Sequence, residues 1–403
     1  MGNRKIKSLQ KLSDRVCLVA NSDTWIEGKA IQQLEKTTEL EGIVKAAGMP
    51  DLHPGRGYPI GAVFSSENKI YPALVGNDIG CGMSLWTTSI KIRKVNLDRF
   101  EKRLSNIDMP LDEEWNDYIE SRSKEKELVS TGFERALGTI GGGNHFAELQ
   151  QVDKVFNEEV FNSLGIDKKQ LALLVHSGSR GLGESILRKH VEQFSHGGLA
   201  TGSNEFDDYM QQHEQALRFA ELNRELIAMR MLECLNASGD CLLDINHNLV
   251  SKSIASKHSS PSVKGQCNDI NELQWIHRKG ATPADQGLVM IPGSRGDYSY
   301  LVKPKLGTQA SHDSLYSLAH GAGRKWIRSE CKARLSNRYK KSDLARTSFG
   351  SRVICKNGDL IFEEAPEAYK SIDSVIKAMQ DAELIEPIAR FKPVLTYKTQ
   401  GGC

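Results

Sequence analysis

The sequence predicts a mixed α/β (α+β) fold organised as one large unit. Short apolar runs of strand length alternate with glycine-rich turns along most of the chain, and one long segment has helical periodicity. No internal repeat or change of composition marks a domain boundary. With 403 residues and 39% apolar side chains, the chain can fill a sizeable core. We therefore expect a single domain over residues 1–403, with a mainly helical insertion at about 184–238.

The composition excludes several classes of protein. Lys and Arg number 53 against 51 Asp and Glu, so attraction to a polyanion would need a local basic patch. Eight scattered cysteines without a C-x-x-C pair indicate a reducing compartment and argue against a disulfide framework or a zinc ribbon. The basic start Met1–Lys7 has no apolar segment after it, and no later run approaches membrane-spanning length. We expect a soluble, cytoplasmic protein without an anchor.

The first sixty residues contain an apolar strand at Val16–Ala20, a charged helical segment near Lys29–Leu40 and a loop at Met49–Pro59. Five of the eleven loop residues are Pro or Gly, which disfavours regular structure. We therefore expect Asp51 and His53 to lie on a stiff, exposed loop, where catalytic residues are common. A local Asx-turn is the alternative role for Asp51.

After a strand at Ile60–Phe64, the stretch Val75–Met83 reads Val-Gly-Asn-Asp-Ile-Gly-Cys-Gly-Met. Three glycines, an asparagine and an aspartate favour a tight turn over a helix or strand interior. A turn can aim Asp78 and Cys81 at one point, and an oxygen and a sulfur ligand suit a divalent transition metal if histidines complete the shell. A buried structural cysteine beside a turn aspartate remains the alternative.

A second glycine loop follows a strand at Met83–Lys91, an amphipathic helix after Asn96 and a charged stretch predicted to be helical. Gly141–Gly143 leads directly into Asn144, His145 and, three residues later, Glu148. Consecutive glycines let backbone amides approach an anion closely. The Gly-Lys-Ser/Thr ending of a P-loop is missing, so the sequence does not predict one.

The apolar strand Leu171–Val175 leads to His176 and a third glycine turn before a helical segment. Arg180 stands where a dinucleotide-binding fingerprint has its second glycine, which argues against a Rossmann site. A long helix predicted from about Glu205 to Leu235 carries its apolar side chains on one stripe and is expected to be structural. Three histidines of this region are expected to be surface or packing residues: His190, His196 and His213.

The second half of the chain supplies two further histidines in short turns. His247 lies in the stretch Cys241–Val250, and His320 stands among small residues that leave it open to attack a substrate; a buried structural histidine is the alternative. The densest basic run, Arg324–Arg346, comes next. A basic helix is usually a solvated face, with nucleic-acid binding the less frequent function. The chain ends in a helix around Ile372–Met379 and a closing strand.

Five of these residues each follow or enter a short turn and together offer enough N, O and S ligands for two metal ions, with Cys81 able to bridge them. Two ions ~4 Å apart would stabilise the attacking and leaving oxygens of a phosphate displacement. The softness of the ligands alone would favour zinc. The five residues are Asp78, Cys81, His145, His176 and His247.

Six motifs occur in a defined order: Asp-Ile-Gly-Cys-Gly at 78–82, Gly-Gly-Asn-His-Phe at 142–146, His-Ser-Gly-Ser-Arg-Gly at 176–181, His-Arg-Lys-Gly-Ala at 277–281, Ile-Pro-Gly-Ser at 291–294 and His-Gly-Ala-Gly-Arg at 320–324. By these motifs the sequence resembles the RtcB-type RNA ligases. With weaker matches, the resemblance covers Pro50 to Lys398. It implies an α/β fold with a deep central metal- and nucleotide-binding cleft, dependence on GTP and two manganese ions, and a role in RNA repair or processing.

The resemblance also implies a reaction and residue roles. RNA 3′-phosphate or 2′,3′-cyclic phosphate ends would be joined to 5′-hydroxyl ends through a GMP–histidine and then an RNA-3′-pp-5′-G intermediate. His320 matches the guanylylated histidine, Asp51 lies in an essential loop near the metals, and the five residues named above match the metal ligands. The preference for manganese comes only from the resemblance. Around the phosphate or the nucleotide the resemblance places Asn144, Glu148, Ser294, Gly321, Gly323, Tyr369 and Lys398.

Three positions depart from the family pattern. Asn246 precedes His247 where many members have a second histidine, Pro283 stands where arginine is common, and Arg295 stands where methionine is frequent. These changes bear on the choice of substrate and indicate a divergent branch. Two other functions stay open: a two-metal phosphodiesterase that acts on cyclic phosphate ends without GTP, and a non-catalytic RNA-binding protein.

Overall fold

The computed structural model describes residues 8–105, 107–252 and 274–399. The basic start Met1–Lys7 and two of the eight cysteines, Cys267 and Cys403, lie outside these ranges. The six cysteines within them are free thiols. In the same ranges, no helix is both long enough and apolar enough to cross a membrane.

Strands and helices alternate along the chain, so the predicted mixed α/β class is confirmed. The strands in the described residues are β1 Leu9–Lys11, β2 Val16–Val19, β3 Ile43–His53, β4 Ile60–Glu67, β5 Lys69–Ile70, β6 Gly82–Lys91, β7 Phe146–Val155, β8 Gln170–Ser177, β9 Leu199–Ala200, β10 Cys241–Asn246, β11 Asn248–Lys252, β12 Gln274–Lys279, β13 Ala281–Pro283, β14 Val289–Pro292, β15 Ser299–Pro304, β16 Ser317–Ala319, β17 Arg352–Cys355 and β18 Ile385–Thr399.

The α-helices lie between these strands. They are α1 Gly28–Thr37, α2 Leu97–Arg103, α3 Asn116–Glu125, α4 Glu158–Ser163, α5 Gly181–Phe194, α6 Asn204–Cys234, α7 Gln309–Asp313, α8 Arg328–Leu335, α9 Lys341–Leu344, α10 Leu360–Glu363 and α11 Ile372–Asp381. The charged stretch 112–137, expected to be helical, forms only α3 and short 3-10 turns. The basic run Arg324–Arg346 is divided between α8 and α9.

Two sheets form the framework. The smaller has six strands in the order β1-β2-β3-β4-β12-β11, and the larger has the order β10-β6-β8-β7-β18-β15-β14, with β17 beside β18. The chain passes from the larger sheet to the smaller at His247, the single residue between β10 and β11. Side chains on this residue and its neighbours therefore lie where the two sheets meet.

The long helix predicted from the apolar stripe is confirmed as α6, and it packs on the larger sheet. The Ser203 side chain accepts a hydrogen bond from the Phe206 amide and so caps the helix at its N-terminus. Residues such as Ile227 and Met231 are fully buried in a core shared with β7 and β8. The middle third of this helix also contacts the turns that carry the candidate site.

Candidate metal and nucleotide site

Cross-strand register brings the predicted metal ligands to one end of the larger sheet. Gly82, the first residue of β6, pairs with Asn246 of β10 on one side and with Ser177 of β8 on the other. Cys81, which precedes Gly82, therefore lies beside His247, which follows Asn246, and beside His176, which precedes Ser177. On the next strand, Phe146 pairs with His176, which places His145 at the same end.

The ligand atoms converge on the thiol of Cys81. Its Sγ lies 3.3 Å from His145 Nε2 and 3.2 Å from His176 Nε2, and His145 Nε2 lies 2.8 Å from Asp78 Oδ2. Two groups result, in each of which all ligand atoms lie within 4.8 Å of one another. One contains Asp78, Cys81 and His145, and the other contains Cys81, His176 and His247. Cys81 belongs to both, which is the position that a bridging ligand requires.

The donors fit a divalent transition metal. His145 directs Nδ1 at the Ile140 carbonyl at 3.2 Å, which leaves Nε2 for a cation, a pattern common among metal-binding histidines. His247 Nδ1 is buried and has no hydrogen-bond partner among the described residues. A thiol, three imidazoles and a carboxylate are a zinc- or manganese-compatible set, with sulfur favouring the softer ion.

Burial sets the protonation of this cluster. It lowers the pKa values of His176 and His247 far below the usual range, helped by neighbouring histidines, so both imidazoles are neutral and able to bind a metal. Burial and Asp78 raise the pKa of the Cys81 thiol, so a cation that binds there displaces its proton. Burial opposes ionisation of Asp78, but His145 and Cys81 lower its pKa overall.

A glycine provides the space for the Asp78 carboxylate. A Cβ atom on Gly178 would lie 2.1 Å from Asp78 Oδ1, so no other residue fits at this position without displacing the aspartate. Gly178 of the third turn thus serves the candidate metal cluster directly.

His320 continues the line of histidines. It follows β16, which pairs with β13 and places its ring 4.9 Å from the ring of His247, measured between centroids. Its Nδ1 lies 2.6 Å from Asp51 Oδ2, and its backbone amide donates to the same oxygen at 3.2 Å. Asp51 is completely buried. A buried carboxylate on Nδ1 fixes the imidazole orientation and leaves Nε2 free to act as a nucleophile.

The predicted exposed loop for Asp51 and His53 is wrong. Both residues belong to β3 and are buried. The polar backbone there is paired inside the protein: Lys370 Nζ donates to the Pro50 and Leu52 carbonyls, and His53 Nδ1 lies 2.8 Å from the Asp51 carbonyl. These partners take the place of water at the buried backbone groups. The exposed turn that the Pro- and Gly-rich composition predicts begins only after His53.

Two cavities meet at His320. The first, about 560 Å³, is lined by residues of both sheets, among them His176, and the second, about 490 Å³, is lined by the other four predicted metal ligands. Asn144, His320 and Arg328 line both cavities. His320 can therefore be reached from two sides, which suits a residue that receives a group from one substrate and passes it to another.

Six of the seven residues predicted around the phosphate or nucleotide line the first cavity: Asn144, Ser294, Gly321, Gly323, Tyr369 and Lys398. Glu148 is the exception. Its buried carboxylate accepts hydrogen bonds from Gln150 and from Thr396, which itself lines the cavity. Burial raises the pKa of Glu148 to about 7 although these hydrogen bonds and Lys398 oppose the change. Glu148 therefore lies behind the cavity wall.

Two of the three glycines at 141–143 make room for guanidinium groups. A Cβ atom on Gly141 would lie 1.8 Å from Arg180 Nη1, and one on Gly143 would lie 2.7 Å from Arg328 Nη1. Both arginines line the second cavity. The sequence suggested that the loop amides themselves approach an anion; the observed packing adds two cations at that place.

Sequence reasoning missed Glu364, which organises the cationic side of the first cavity. Its buried carboxylate lies 3.1 Å from Arg324 Nη1, accepts from the Tyr369 hydroxyl at 2.5 Å and lies 3.5 Å from Lys398 Nζ. Burial opposes its ionisation, but Lys398, Arg328 and Arg324 together lower its pKa to about 2. Glu364 follows another glutamate in an unremarkable tail segment, so only contacts distant in sequence identify it.

Much of the basic run is neutralised locally. Lys332 pairs with Asp359 and Arg334 with Glu330 on the exposed face of α8. Lys325 and Arg328 line the first cavity. The run therefore brings Lys325 and Arg328 to the cavity. Four exposed residues at its end form no ion pair among the described residues: Arg338, Lys340, Lys341 and Arg346.

Two ligand groups that share a thiol, beside a histidine held by a buried carboxylate, are the arrangement of a metal-dependent enzyme that acts on phosphate groups. Comparison with known families makes the class specific. A family model described as tRNA-splicing ligase RtcB matches residues 33–131 and 114–399. The chain belongs to the RtcB family.

Similarity to characterised sequences extends over nearly the whole chain. An RNA-splicing ligase RtcB2 of Escherichia coli is 52% identical over 396 residues, which cover 98% of this chain and 99% of that protein. A tRNA-splicing ligase RtcB of Archaeoglobus fulgidus is 30% identical over 452 residues, with 92% and 91% covered. The RNA-splicing ligase RtcB1 of the same Escherichia coli strain is 29% identical over 417 residues, with 93% and 95% covered. The chain thus resembles RtcB2 more than RtcB1 of one organism, in agreement with a divergent branch.

The substitution Glu364→Gln tests the charge balance of the first cavity. It leaves Lys398 and Arg324 without their buried anion, so we expect the free energy of unfolding at pH 7 to fall by about 3–5 kcal/mol. The pKa of Glu364 is lowered, so its stabilisation is complete above its ordinary pKa of 4.5 and is lost as the pH falls towards about 2. Urea unfolding at a series of pH values should show wild type and variant converging over that range.

The neighbouring substitution Glu363→Gln is the matched control, because Glu363 is half-buried and forms no ion pair among the described residues. Its effect should be small and independent of pH. Equal losses from both substitutions, or a difference that persists at pH 2, would contradict the assigned role of Glu364.

Proposed function

We propose that this protein is an RNA ligase that joins RNA 3′-phosphate or 2′,3′-cyclic phosphate ends to 5′-hydroxyl ends, using GTP and two manganese ions. The observation that carries the proposal is the pair of ligand groups sharing Cys81, placed next to His320 at the meeting point of two cavities. Membership of the RtcB family and the ligase names of its relatives support the same function.

Metal ions would be held by the two groups described above, one by Asp78, Cys81 and His145 and the other by Cys81, His176 and His247. Bound there, they supply positive charge that stabilises the transferring phosphoryl group. Manganese is inferred from the family, since the donor atoms by themselves favour zinc. Cys81 must stay a free thiol to bind, so we also propose that the protein works in a reducing, cytoplasmic environment.

GTP would occupy the first cavity with its α-phosphate at His320. Nε2 of the imidazole attacks the α-phosphorus, a nitrogen–phosphorus bond forms, and the bond to the β-phosphate breaks to release pyrophosphate. The Asp51 carboxylate, with Oδ2 2.6 Å from Nδ1, stabilises the positive charge that develops on the ring. Lys398, Tyr369 and Ser294 line this cavity and would hold the nucleotide.

The RNA 3′-end would enter the second cavity. Its lining includes Arg180, Lys279 and Arg328, and cations of this kind bind phosphate oxygens. Burial lowers the pKa of Lys279 to about 8, so it is largely charged at neutral pH. The 3′-phosphate attacks the GMP on His320 and forms RNA-3′-pp-5′-G. The 5′-hydroxyl then attacks the RNA phosphate, a phosphodiester forms and GMP leaves. A cyclic phosphate is first hydrolysed to the 3′-phosphate in the same cavity.

The covalent step is tested by incubating the protein with GTP and manganese and mapping adducts by mass spectrometry. We expect one GMP on His320, and none after His320→Asn, because the amide nitrogen of asparagine is not nucleophilic. His312→Asn, which changes an exposed histidine with 50% of its side chain accessible, is the control and should leave the adduct intact.

An adduct on another residue, or none at all, would remove the guanylylation step from the proposal. Release of a 3′-phosphate from cyclic phosphate RNA without GTP consumption would then favour the phosphodiesterase. RNA binding without turnover would favour the non-catalytic alternative. Ligation of RNA and DNA panels with defined 3′-ends would identify the substrate class.

The substitution Asp51→Asn separates the first step from the last. It removes the negative partner of His320 Nδ1 and favours the wrong tautomer, so the rate of GMP transfer to His320 should fall about 10²–10⁴-fold. Ligation of RNA already carrying the 3′-pp-5′-G end should be much less affected, because His320 has finished its role by then. Equal loss in both assays would place Asp51 in a different role.

Removal of the shared thiol should affect both metal ions. After dialysis against manganese, Cys81→Ala should retain far less than one ion per chain, whereas His145→Ala and His247→Ala should each lose mainly one. Cys234→Ala, a half-buried cysteine of α6, is the control and should bind as wild type does. Elemental analysis gives the stoichiometry; unchanged metal content in Cys81→Ala would contradict the bridging role.

A further inference from the structure

The middle of α6 lies directly beneath the turns that carry the metal ligands. Gly80, one residue before Cys81, packs so closely on this helix that a Cβ atom there would lie 2.8 Å from the Ala220 Cβ and 3.1 Å from the Ala216 carbonyl oxygen. The proposed reaction uses no residue of α6. The helix nevertheless presents two buried polar side chains, Asn223 and Arg224, at this contact.

Arg224 is completely buried, and its guanidinium contacts three segments at once. Nη1 donates to the carbonyl oxygens of Gly80 at 2.7 Å and Ser177 at 3.0 Å, and Nη2 donates to Asn246 Oδ1 at 2.7 Å. Nε donates to Asp244 Oδ1 at 2.7 Å, which balances the buried charge. The fork of the guanidinium allows these bonds together, which a lysine ammonium on a single nitrogen does not.

The partners of Arg224 are not a random sample of the core. Gly80 is adjacent in sequence to Cys81, Ser177 to His176, and Asn246 to His247. These three neighbours are the members of one ligand group. If Arg224 only stabilised the core, its partners would not be expected to lie next to all three ligands of one ion.

Asn223 supports the other side of the cluster. Its Nδ2 donates to the Gly178 carbonyl at 3.1 Å and the Ser177 hydroxyl at 3.0 Å, with a longer contact of 3.3 Å to the Thr139 carbonyl. Ser177 in turn donates to the Ile140 carbonyl, which also faces His145 Nδ1. The second ligand group is thereby connected to the same helix.

We infer that Asn223 and Arg224 are positioning residues that set the geometry of the metal centre, with Arg224 fixing the group Cys81, His176 and His247. The inference rests on the proposed metal site and goes beyond it, since neither residue touches a ligand atom or a substrate. Partners that orient metal ligands commonly change metal affinity about 10–100-fold when removed.

The departure at Asn246 belongs to this network. Its amide accepts from Arg224 and donates to Glu221 Oε1 at 3.1 Å, so the side chain faces α6. An amide offers an acceptor and a donor without adding charge beside the buried guanidinium. The residue that replaces the family's usual histidine therefore completes the support of the metal centre in this chain.

The test measures cobalt(II) binding without nucleotide or RNA, using the thiolate-to-cobalt absorption that reports on Cys81. We expect weaker binding of the ion in the His247 group, by about 10-fold or more, in three variants: Arg224→Lys, Arg224→Gln and Asn246→Ala. The last of these leaves the charge of the network unchanged. Asn223→Ala should weaken binding of the ion held by Asp78 and His145. Arg218→Gln changes an arginine of the same helix that forms surface pairs with Glu214 and Glu127, and should bind as wild type does.

Thermal unfolding without metal establishes that each variant is folded at the temperature of the titration, and Asn246→Ala keeps the test decisive if the Arg224 variants do not fold. Folded Arg224→Gln or Asn246→Ala protein that binds cobalt within about twofold of wild type would overturn the positioning role while leaving the proposed function intact. Wild-type protein that binds no cobalt would overturn the metal site, and with it both proposals.

Discussion

The structure depends on bringing several metal-binding groups together in one largely buried place. Cys81 lies within 3.3 Å of two imidazole nitrogens, and three histidine rings follow one another at centroid distances of 5.1 and 5.2 Å. Such groups lose their hydration and gain few hydrogen bonds in return, so the cluster is costly without a cation and must be held from outside. The register of β10, β6, β8 and β7 holds it from the side of the sheet, and Arg224 holds it from the helix.

The contact between Asp51 and His320 connects this cluster to the smaller sheet. Asp51 belongs to β3 of that sheet, while His320 contacts His247, which joins the two sheets. His320, the proposed nucleophile, is thus held by contacts from both sheets, and it lines both cavities at the place where the sheets meet. An intramolecular geometry held this tightly is what a two-step transfer needs, since each step gains from a preset approach of the reacting atoms.

What could be predicted from the sequence was local. Glycine turns next to apolar strands located β6 with the preceding Cys81 and β8 with His176, and the apolar stripe located α6, because these signals lie within a few residues. The burial of Asp51 was missed because the groups that pair its backbone come from Lys370, more than 300 residues away. Glu364 was missed for the same reason. The support from Arg224 had no signal at all, because an arginine on a long helix is exposed far more often than buried.

The three departures from the family pattern have different consequences once they are placed in the fold. Asn246 faces α6 and contacts Arg224 and Glu221, so it belongs to the network inferred to support the metal site and lines neither cavity. Pro283 lies in β13 and pairs with Ser317, away from both cavity linings. Arg295 alone lines the first cavity; it donates from Nη2 to the Ile361 carbonyl, while its buried Nε and Nη1 have no partner among the described residues. Of the three departures, Arg295 alone therefore reaches a cavity in which a nucleotide or RNA end is proposed to bind.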